Sequence, residues 1–180
     1  VIHATRTGYY IYKFIDPNLD LLQNRTSVHH WVIMRYAEIL LSYAEAMNEA
    51  YGPTGNVGYR LNAVRALNQV RNRVGVEMPA VPTAISKEEL REKIRNERRV
   101  ELAFEDHRFW DVRRWMIAEQ EGVMSGAMYG IKIYWINSSP QEFRYTPYLY
   151  ENRTFTKKMY LHPFSTNEVN KGYLIQNPGY

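Results

Sequence analysis

The stretch IMRYAEILLSYAEAM, at residues 33–47, decides the fold of this chain. Its apolar residues recur every three or four positions, which predicts an amphipathic helix over about 32–52. A second helix is predicted over 59–74, where Gly75 supplies a stop signal. Because only a short loop of Gly, Pro and Asn separates them, the two helices are expected to form a hairpin.

A second hairpin follows directly along the chain. Ser86 and Glu89 have the spacing of a capping box, in which each side chain bonds the backbone N–H of the other residue at the start of a helix. This predicts a third helix from Ser86 to about Glu105, and a short fourth helix is predicted over 109–117. Two adjacent hairpins are typical of tetratricopeptide-like stacking, since one hairpin cannot bury its apolar face alone.

The segments on either side of the helices are less regular. A β-branched and aromatic run predicts a strand over 8–15. Residues 122–158 are predicted to form a long irregular loop with one strand at 131–136. A short strand is expected over 159–164, and Ser165 has the position of a cap for a single helical turn.

The fold class predicted from these elements is mainly α, with tetratricopeptide-like helical hairpins, long irregular loops and a few short β-strands. Three parts follow one another along the chain. They are a strand and loop over 1–30, the helical hairpins over 31–117, and a long loop region with a closing tail over 118–180.

Composition excludes several classes of protein. Of the 180 residues, 23 are Lys or Arg and 19 are Asp or Glu, and a net charge of +4 does not by itself indicate nucleic-acid binding. Cysteine is absent, which excludes disulfides and thiolate metal sites. His29 and His30 are adjacent, so a helix could not easily present both to one metal ion. No metal, no cofactor and no nucleic-acid partner are expected, and no hydrolase or nucleotide motif is found.

The third predicted helix carries a row of acids. Glu97, Glu101 and Glu105 are four residues apart, so they share one helix face. They could act as acid/base groups or metal carboxylates, but nearby arginines favour a network of inward-facing ion pairs between packed helices. The predicted members of this structural network are Arg35, Glu38, Glu45, Glu97, Arg98, Glu101, Glu105, Arg108, Asp111 and Arg114.

Aromatic residues are unusually frequent, with 15 Tyr, 6 Phe and 4 Trp. Flat rings beside polar side chains suit a carbohydrate-binding surface, because the apolar face of a sugar stacks on a ring while polar groups bond its hydroxyls. The alternative is that these rings pack loops onto helices. The candidate ligand-binding residues are Trp31, Tyr9, Tyr129, Tyr134, Trp135 and Tyr148.

Several sequence blocks together resemble the SusD/RagB family. The blocks occur in the order expected for that family and cover residues 31–180. They are RYAEILLSYAEA at 35–46, LNQVRNR at 67–73, IRNERRVELAFE at 94–105, HRFWDVRRW at 107–115, YLHPF at 160–164 and QNPGY at 176–180. The chain departs from the family pattern at His162 and Phe164, where an isoleucine-proline pattern is more usual, and this is expected to affect packing only.

The resemblance implies a function that composition and spacing do not. Members of the family are lipoproteins on the extracellular face of the outer membrane. They bind oligosaccharides or other nutrients without catalysis and pass them to a SusC-like TonB-dependent transporter. The resemblance implies that residues 1–180 are the C-terminal portion of a SusD-like domain, with the N-terminal half and the lipid anchor outside this chain.

Two other functions remain open at this stage. A tetratricopeptide-type scaffold would bind proteins or peptides along its helices. A carboxylate-based glycoside hydrolase would use two of the acids on the third helix.

Overall fold

The computed structural model describes residues 5–28 and 30–180, so His29 lies outside the described residues. The chain divides into two compact units. Ser27–Trp110 form one of them, called here the helical unit. The other, called here the ribbon unit, combines residues up to Thr26 with Asp111–Tyr180.

The helical unit contains three helices, α1 (Tyr36–Tyr51), α2 (Ala63–Arg71) and α3 (Lys87–Glu101). Helix α1 packs against both α2 and α3. The apolar positions that recur at helical spacing in the sequence form the core between them. Fully buried side chains of this core include Leu41, Ala44, Val64, Leu67, Leu90 and Ile94. The first predicted hairpin, α1 with α2, is therefore present, and α3 packs against α1.

Local chemistry sets the ends of these helices. The capping box of Ser86 and Glu89 is confirmed, with both reciprocal bonds formed. Helix α1 begins after Arg35, which has extended backbone angles, rather than at residue 32. Helix α2 begins after Asn62, whose side chain accepts a hydrogen bond from the Arg65 backbone, rather than at residue 59.

Helix α3 ends at Glu101, four residues before the predicted end at Glu105. Phe104 and Asp106 both have positive φ angles, of 62° and 63°, which a right-handed helix does not allow. Helix α4 (His107–Arg114) starts after this break. It was predicted over 109–117, so it begins two residues earlier and ends three residues earlier than predicted. The break therefore separates α3 from α4.

The ribbon unit is dominated by a long antiparallel hairpin of β1 (Gly126–Ser138) and β2 (Gln141–Arg153), called here the ribbon. The prediction of an irregular loop over 122–158 with a strand only at 131–136 was therefore wrong. Gly, Asn and Pro in this segment indicate loops, but the many Tyr residues favour strands. Cross-strand pairing, which composition does not reveal, decides between them.

Two other strand predictions were also wrong. Residues 8–15 form no strand, although the Thr7 carbonyl accepts a hydrogen bond from the Ile131 backbone at 2.8 Å beside β1. Residues 159–164 form no strand either, because Lys157–Tyr160 are a 3-10 helix that places Tyr160 edge-on against buried Phe155. The single helical turn capped by Ser165 is confirmed as α5 (Thr166–Val169).

The predicted fold class is confirmed, because the structure is mostly helical with one small sheet. Among residues 5–28 and 30–180, no helix has the length and apolarity that a membrane-spanning segment requires.

Candidate functional site

One side of the ribbon is apolar along most of its length. Alternation along each strand and the register between the strands put four residues of β1 and four of β2 on this side, called here the aromatic face. The cross-strand pairs are Tyr129 with Leu149, Ile131 with Pro147, Ile133 with Tyr145, and Trp135 with Phe143. All of these side chains except the half-buried Ile131 are exposed.

Trp135 is the most exposed large side chain of the aromatic face. Its side chain is 68% exposed, yet its indole N–H donates a hydrogen bond to the Asn137 carbonyl at 2.6 Å. The local strand irregularity between Trp135 and Asn137 brings these groups together. The ring is therefore held against its own strand by its polar edge, which leaves its apolar surface open to a ligand.

The opposite side of the ribbon combines tyrosines with cations and is called here the cationic face. Its cross-strand pairs are Gly130 with Tyr148, Lys132 with Thr146, and Tyr134 with Arg144. The Lys132 ammonium lies 5.0 Å from the centre of the Tyr148 ring, and the Arg144 guanidinium lies 5.2 Å from that of Tyr134. Both are cation–π contacts.

Tyr148 also attaches the ribbon to the segment that precedes it. Its hydroxyl donates to the Arg6 carbonyl. Its ring lies so close to Gly130 that an added Cβ there would be 2.8 Å from the ring. Of the six predicted ligand-binding residues, Tyr148 therefore has structural contacts at the hydroxyl end of its ring.

The structure distributes the six predicted ligand-binding residues over four places. Tyr129 and Trp135 lie on the aromatic face, and Tyr134 and Tyr148 on the cationic face. Tyr9 is exposed in the ribbon unit, and Trp31 is 62% exposed in the helical unit, ahead of α1. The four residues of the ribbon itself therefore do not form one cluster, because they lie on its two opposite faces.

The acids of the third helix are held by arginines in the helical unit. Arg35 bonds both carboxylate oxygens of Glu105, at 2.7 and 2.9 Å, and also reaches Glu101 at 2.6 Å. Arg73 donates to the other oxygen of Glu101 at 2.9 Å, and Arg71 donates to Glu97. Arg35, Glu105, Glu101 and Arg73 thus form one connected cluster, and Arg71 with Glu97 forms a further pair between α2 and α3.

Burial and hydrogen bonding act in opposite directions on Glu101. Burial of its carboxylate raises the pKa, but the hydrogen bonds from Arg73 and Arg35 and their positive charges outweigh that effect. The pKa of Glu101 is therefore lowered. The same balance raises the pKa of Arg35, where burial is outweighed by Glu105 and Glu101.

Other members of the predicted network lie in several different places. Arg98 is buried and donates to the Ser42 hydroxyl at 3.0 Å, while Glu38 lies 3.5 Å from His107. Asp111 is buried and pairs with Arg114 at 2.8 Å, one turn away on the same helix. The half-buried Glu45 and Arg108 lie on α1 and α4.

Sequence reasoning missed two of the arginines that bond these acids. Arg71 lies at the end of the apolar stripe of the second predicted helix, where a cation needs a buried partner. That position was the available signal for Arg71. Arg73 lies two residues beyond the end of α2, and no sequence pattern assigned it a partner.

A third candidate site was also missed. An open cavity of about 390 Å³ in the helical unit is lined by Tyr36, Tyr43, Tyr59, Arg60, Leu61 and Gln69. Tyr36 and Tyr43 are seven residues apart on α1, so helical spacing alone predicts that they share a face. The Tyr43 hydroxyl already donates a hydrogen bond to the Leu61 carbonyl at 2.8 Å.

No group of three or more acidic or histidine side chains in the described part of the chain could hold a metal ion.

Comparisons with known proteins all point to one family. The family model of the SusD family matches residues 2–180. The SusD-like protein P2 of Formosa agariphila is 35% identical over 111 residues, which are 59% of this chain and 20% of that protein. The SusD-like protein P38 of the same organism is 33% identical over 106 residues, which are 56% of this chain and 18% of that protein.

Two crystal structures have similar folds. A SusD-like protein from Bacteroides fragilis has a TM-score of 0.67 and 37% identity, over 84% of this chain and 26% of that one. A SusD-like carbohydrate-binding protein from Bacteroides vulgatus has a TM-score of 0.51 and 24% identity, over 77% of this chain and 28% of that one. The second likeness concerns the fold alone. The chain spans about a fifth to a quarter of the length of the relatives it matches.

Proposed function

Because this chain belongs to the SusD family, we propose that it binds oligosaccharides without catalysis and that the aromatic face of the ribbon is a contact surface for them. Family membership supports this class of function, because resemblance to the SusD family implies a protein that captures oligosaccharides. The chemistry of the ribbon supports the location.

The observation that carries this location is the geometry of Trp135. Sugar stacking needs a flat ring whose surface is open and whose orientation is fixed, because ordering a free side chain would oppose binding. The hydrogen bond from the indole to Asn137 fixes the ring, and its surface remains 68% exposed. Tyr145 pairs with the neighbouring Ile133 and is itself 58% exposed, which extends the surface along the ribbon.

The state of the helical acids supports a binding function over hydrolysis. A glycosidase needs one carboxylic acid that is protonated and a second carboxylate that reaches the sugar. Glu97, Glu101 and Glu105 each bond an arginine instead, and the pKa of Glu101 is lowered, which opposes the role of a proton donor. We therefore expect no turnover of any bound saccharide.

The cellular setting belongs to the same proposal. We propose that the protein lies on the extracellular face of the outer membrane and that an N-terminal lipid anchor outside this chain attaches it. It passes its ligand to a SusC-like TonB-dependent transporter, and the chain forms the C-terminal portion of a SusD-like domain. Protease treatment of intact cells tests the location, and purification of the transporter in mild detergent tests the partnership.

The binding experiment screens the protein against a panel of neutral and acidic polysaccharides and then measures affinity by calorimetry. For the saccharide bound most tightly, Trp135→Ala combined with Tyr145→Ala should weaken binding by at least about tenfold, or about 1.4 kcal/mol. The matched control is Trp110→Ala, because Trp110 is also exposed, at 63%, but belongs to α4 and not to the ribbon.

Two outcomes would contradict the proposal. One is equal loss of affinity in the ribbon variant and in the Trp110 control, which would remove the ribbon from the site. The other is failure to bind any saccharide together with tight binding of a peptide, which would favour a tetratricopeptide-type scaffold.

A further inference from the structure

We propose that the cationic face of the ribbon is a second binding site, which takes saccharides that carry carboxylate or sulfate groups. This second site is distinct from the stacking surface on the other side of the ribbon. The proposal rests on the proposed function, because both require that the ribbon contacts carbohydrate. The juxtaposition that suggests it is two cations beside two tyrosine rings on one side of a two-stranded sheet.

The two cations lie on neighbouring positions of the cationic face. Lys132 pairs with Thr146 and Tyr134 pairs with Arg144, so Lys132 and Arg144 are diagonal neighbours on the same side. Diagonal neighbours in an antiparallel pair are about 7–8 Å apart. This is the spacing of the backbone positions, and the Lys132 side chain reaches over Tyr148, on the far side of Thr146 from Arg144. The two positive groups would therefore bind separate charged groups of one acidic oligosaccharide.

Both cations are held in the same way. Each lies over a tyrosine ring, at 5.0 Å for Lys132 and 5.2 Å for Arg144. An aromatic ring attracts a cation through its π face. This attraction does not use the N–H donors of lysine or arginine in hydrogen bonds to oxygen. The contact therefore orders the side chain while leaving its N–H donors available to an incoming anion.

No acid among the described residues neutralises either cation. In the described part of the chain, neither Lys132 nor Arg144 forms an ion pair or a side-chain hydrogen bond. The nearest acid by register is Glu142, two residues from Arg144 on the same side of β2, and it forms no ion pair with Arg144.

The kind of ligand follows from this chemistry. The planar fork of an arginine bonds both oxygens of a carboxylate or two oxygens of a sulfate, and lysine adds a point charge beside it. The Thr146 hydroxyl, opposite Lys132, can bond a neutral sugar hydroxyl. A neutral saccharide would leave the two positive charges unused, so the face should discriminate by charge.

The experiment compares saccharides that differ in their charged groups. Oligogalacturonate and alginate oligomers carry carboxylates, carrageenan oligomers carry sulfates, and methyl-esterified oligogalacturonate keeps the first backbone without its charges. We expect at least one of the three acidic probes to bind more than about tenfold tighter than the neutral ester. We also expect that preference to fall as salt rises.

The variant for this test is Lys132→Gln combined with Arg144→Gln, which should remove most of the preference for the acidic probe. The matched control, Lys157→Gln combined with Arg99→Gln, removes one lysine and one arginine charge from exposed positions that are not part of the ribbon strands. A third variant, Glu142→Gln, has the opposite expected sign and should strengthen acidic binding by about two- to threefold. Thermal unfolding of each variant checks that it folds.

The possible results separate this proposal from the preceding one. Equal binding of neutral and acidic probes would overturn the second site, as would equal losses in the Lys132/Arg144 variant and its control. Either result leaves the stacking surface in place if the Trp135/Tyr145 variant still loses affinity. Absence of binding to every saccharide would overturn both proposals together.

Discussion

Arginines are used in opposite ways in the two units of this chain. In the helical unit, Arg35 bonds Glu105 through two oxygens, reaches the Glu101 carboxylate and also donates to the Glu101 backbone carbonyl at 2.7 Å. On the ribbon, Arg144 lies over the Tyr134 ring. The same side chain is thus a structural link in one unit and an exposed, uncompensated charge in the other.

The difference teaches how to separate structural charge from functional charge in one chain. A buried cation must be paired, because leaving it unpaired in a medium of low dielectric is costly. An exposed cation stays hydrated and needs no partner, so its position does not have to serve stability. Variants of the helical cluster should therefore change stability, and variants of the ribbon should change binding.

The largest expected effect is on the helical cluster. Glu101→Gln removes the charge that joins Arg35 on α1 to Arg73 after α2, and Glu101 is only 10% exposed. Breaking a buried pair typically costs 3–5 kcal/mol, and the partial exposure of Arg35, at 27%, puts the expected loss at about 3 kcal/mol. Denaturant unfolding measures the change.

A matched control for this variant lies on the same helix. Glu92→Gln removes an equal charge from a side chain that is 71% exposed and pairs with Arg95, and it should change the free energy of unfolding by less than about 0.5 kcal/mol. Similar losses in the two variants would mean that Glu101 is no more structural than a surface acid.

The second effect is the pH dependence of the same pair. The pKa of Glu101 is lowered from its ordinary value of 4.5, so the carboxylate contributes stability above about pH 4.5 and loses it as the pH falls through its folded pKa. The wild type should therefore lose stability below about pH 4.5 more steeply than Glu101→Gln. The two proteins should converge in acid, as followed by denaturant unfolding at several pH values.

Parallel curves would contradict this assignment. If the difference in the free energy of unfolding between the wild type and Glu101→Gln stays constant from neutral pH into acid, the lost stability does not come from the ionised carboxylate. The defect would then lie in packing around the new amide.

The smallest expected effect on stability is on the ribbon. Lys132→Gln combined with Arg144→Gln should change the free energy of unfolding by less than about 0.5 kcal/mol for each residue, because the described residues provide no acid paired with either cation. Thermal unfolding measures this. A loss comparable to that of Glu101→Gln would make the cationic face structural and would remove the contrast between the two units.

Prediction from the sequence succeeded where local signals agree. The helical stripe around Leu41, the Ser86–Glu89 capping box and the Ser165 cap all depend on residues within a few positions of one another. Prediction was wrong for the ribbon, because neither strand shows its partner locally. Pairs such as Trp135 with Phe143 exist only once the register is set.

The candidate site was anticipated by residue type and not by arrangement. Tyr134 and Trp135 are neighbours in sequence and were predicted to belong to one aromatic group. On a strand they point to opposite faces, so one belongs to the aromatic face and the other to the cationic face. The pairing of Arg144 with Tyr134 could not be predicted from a segment interpreted as a loop.

The sequence by itself determined the family, the mainly helical class and the local helix signals, because these depend on ordered motifs, spacing and short-range capping. Only the tertiary structure decided which arginine met which acid and which ring met which cation. Those choices join residues dozens of positions apart, as for Arg35 and Glu105, or depend on a strand register. Long-range pairing is selected by packing and desolvation, which no local pattern records.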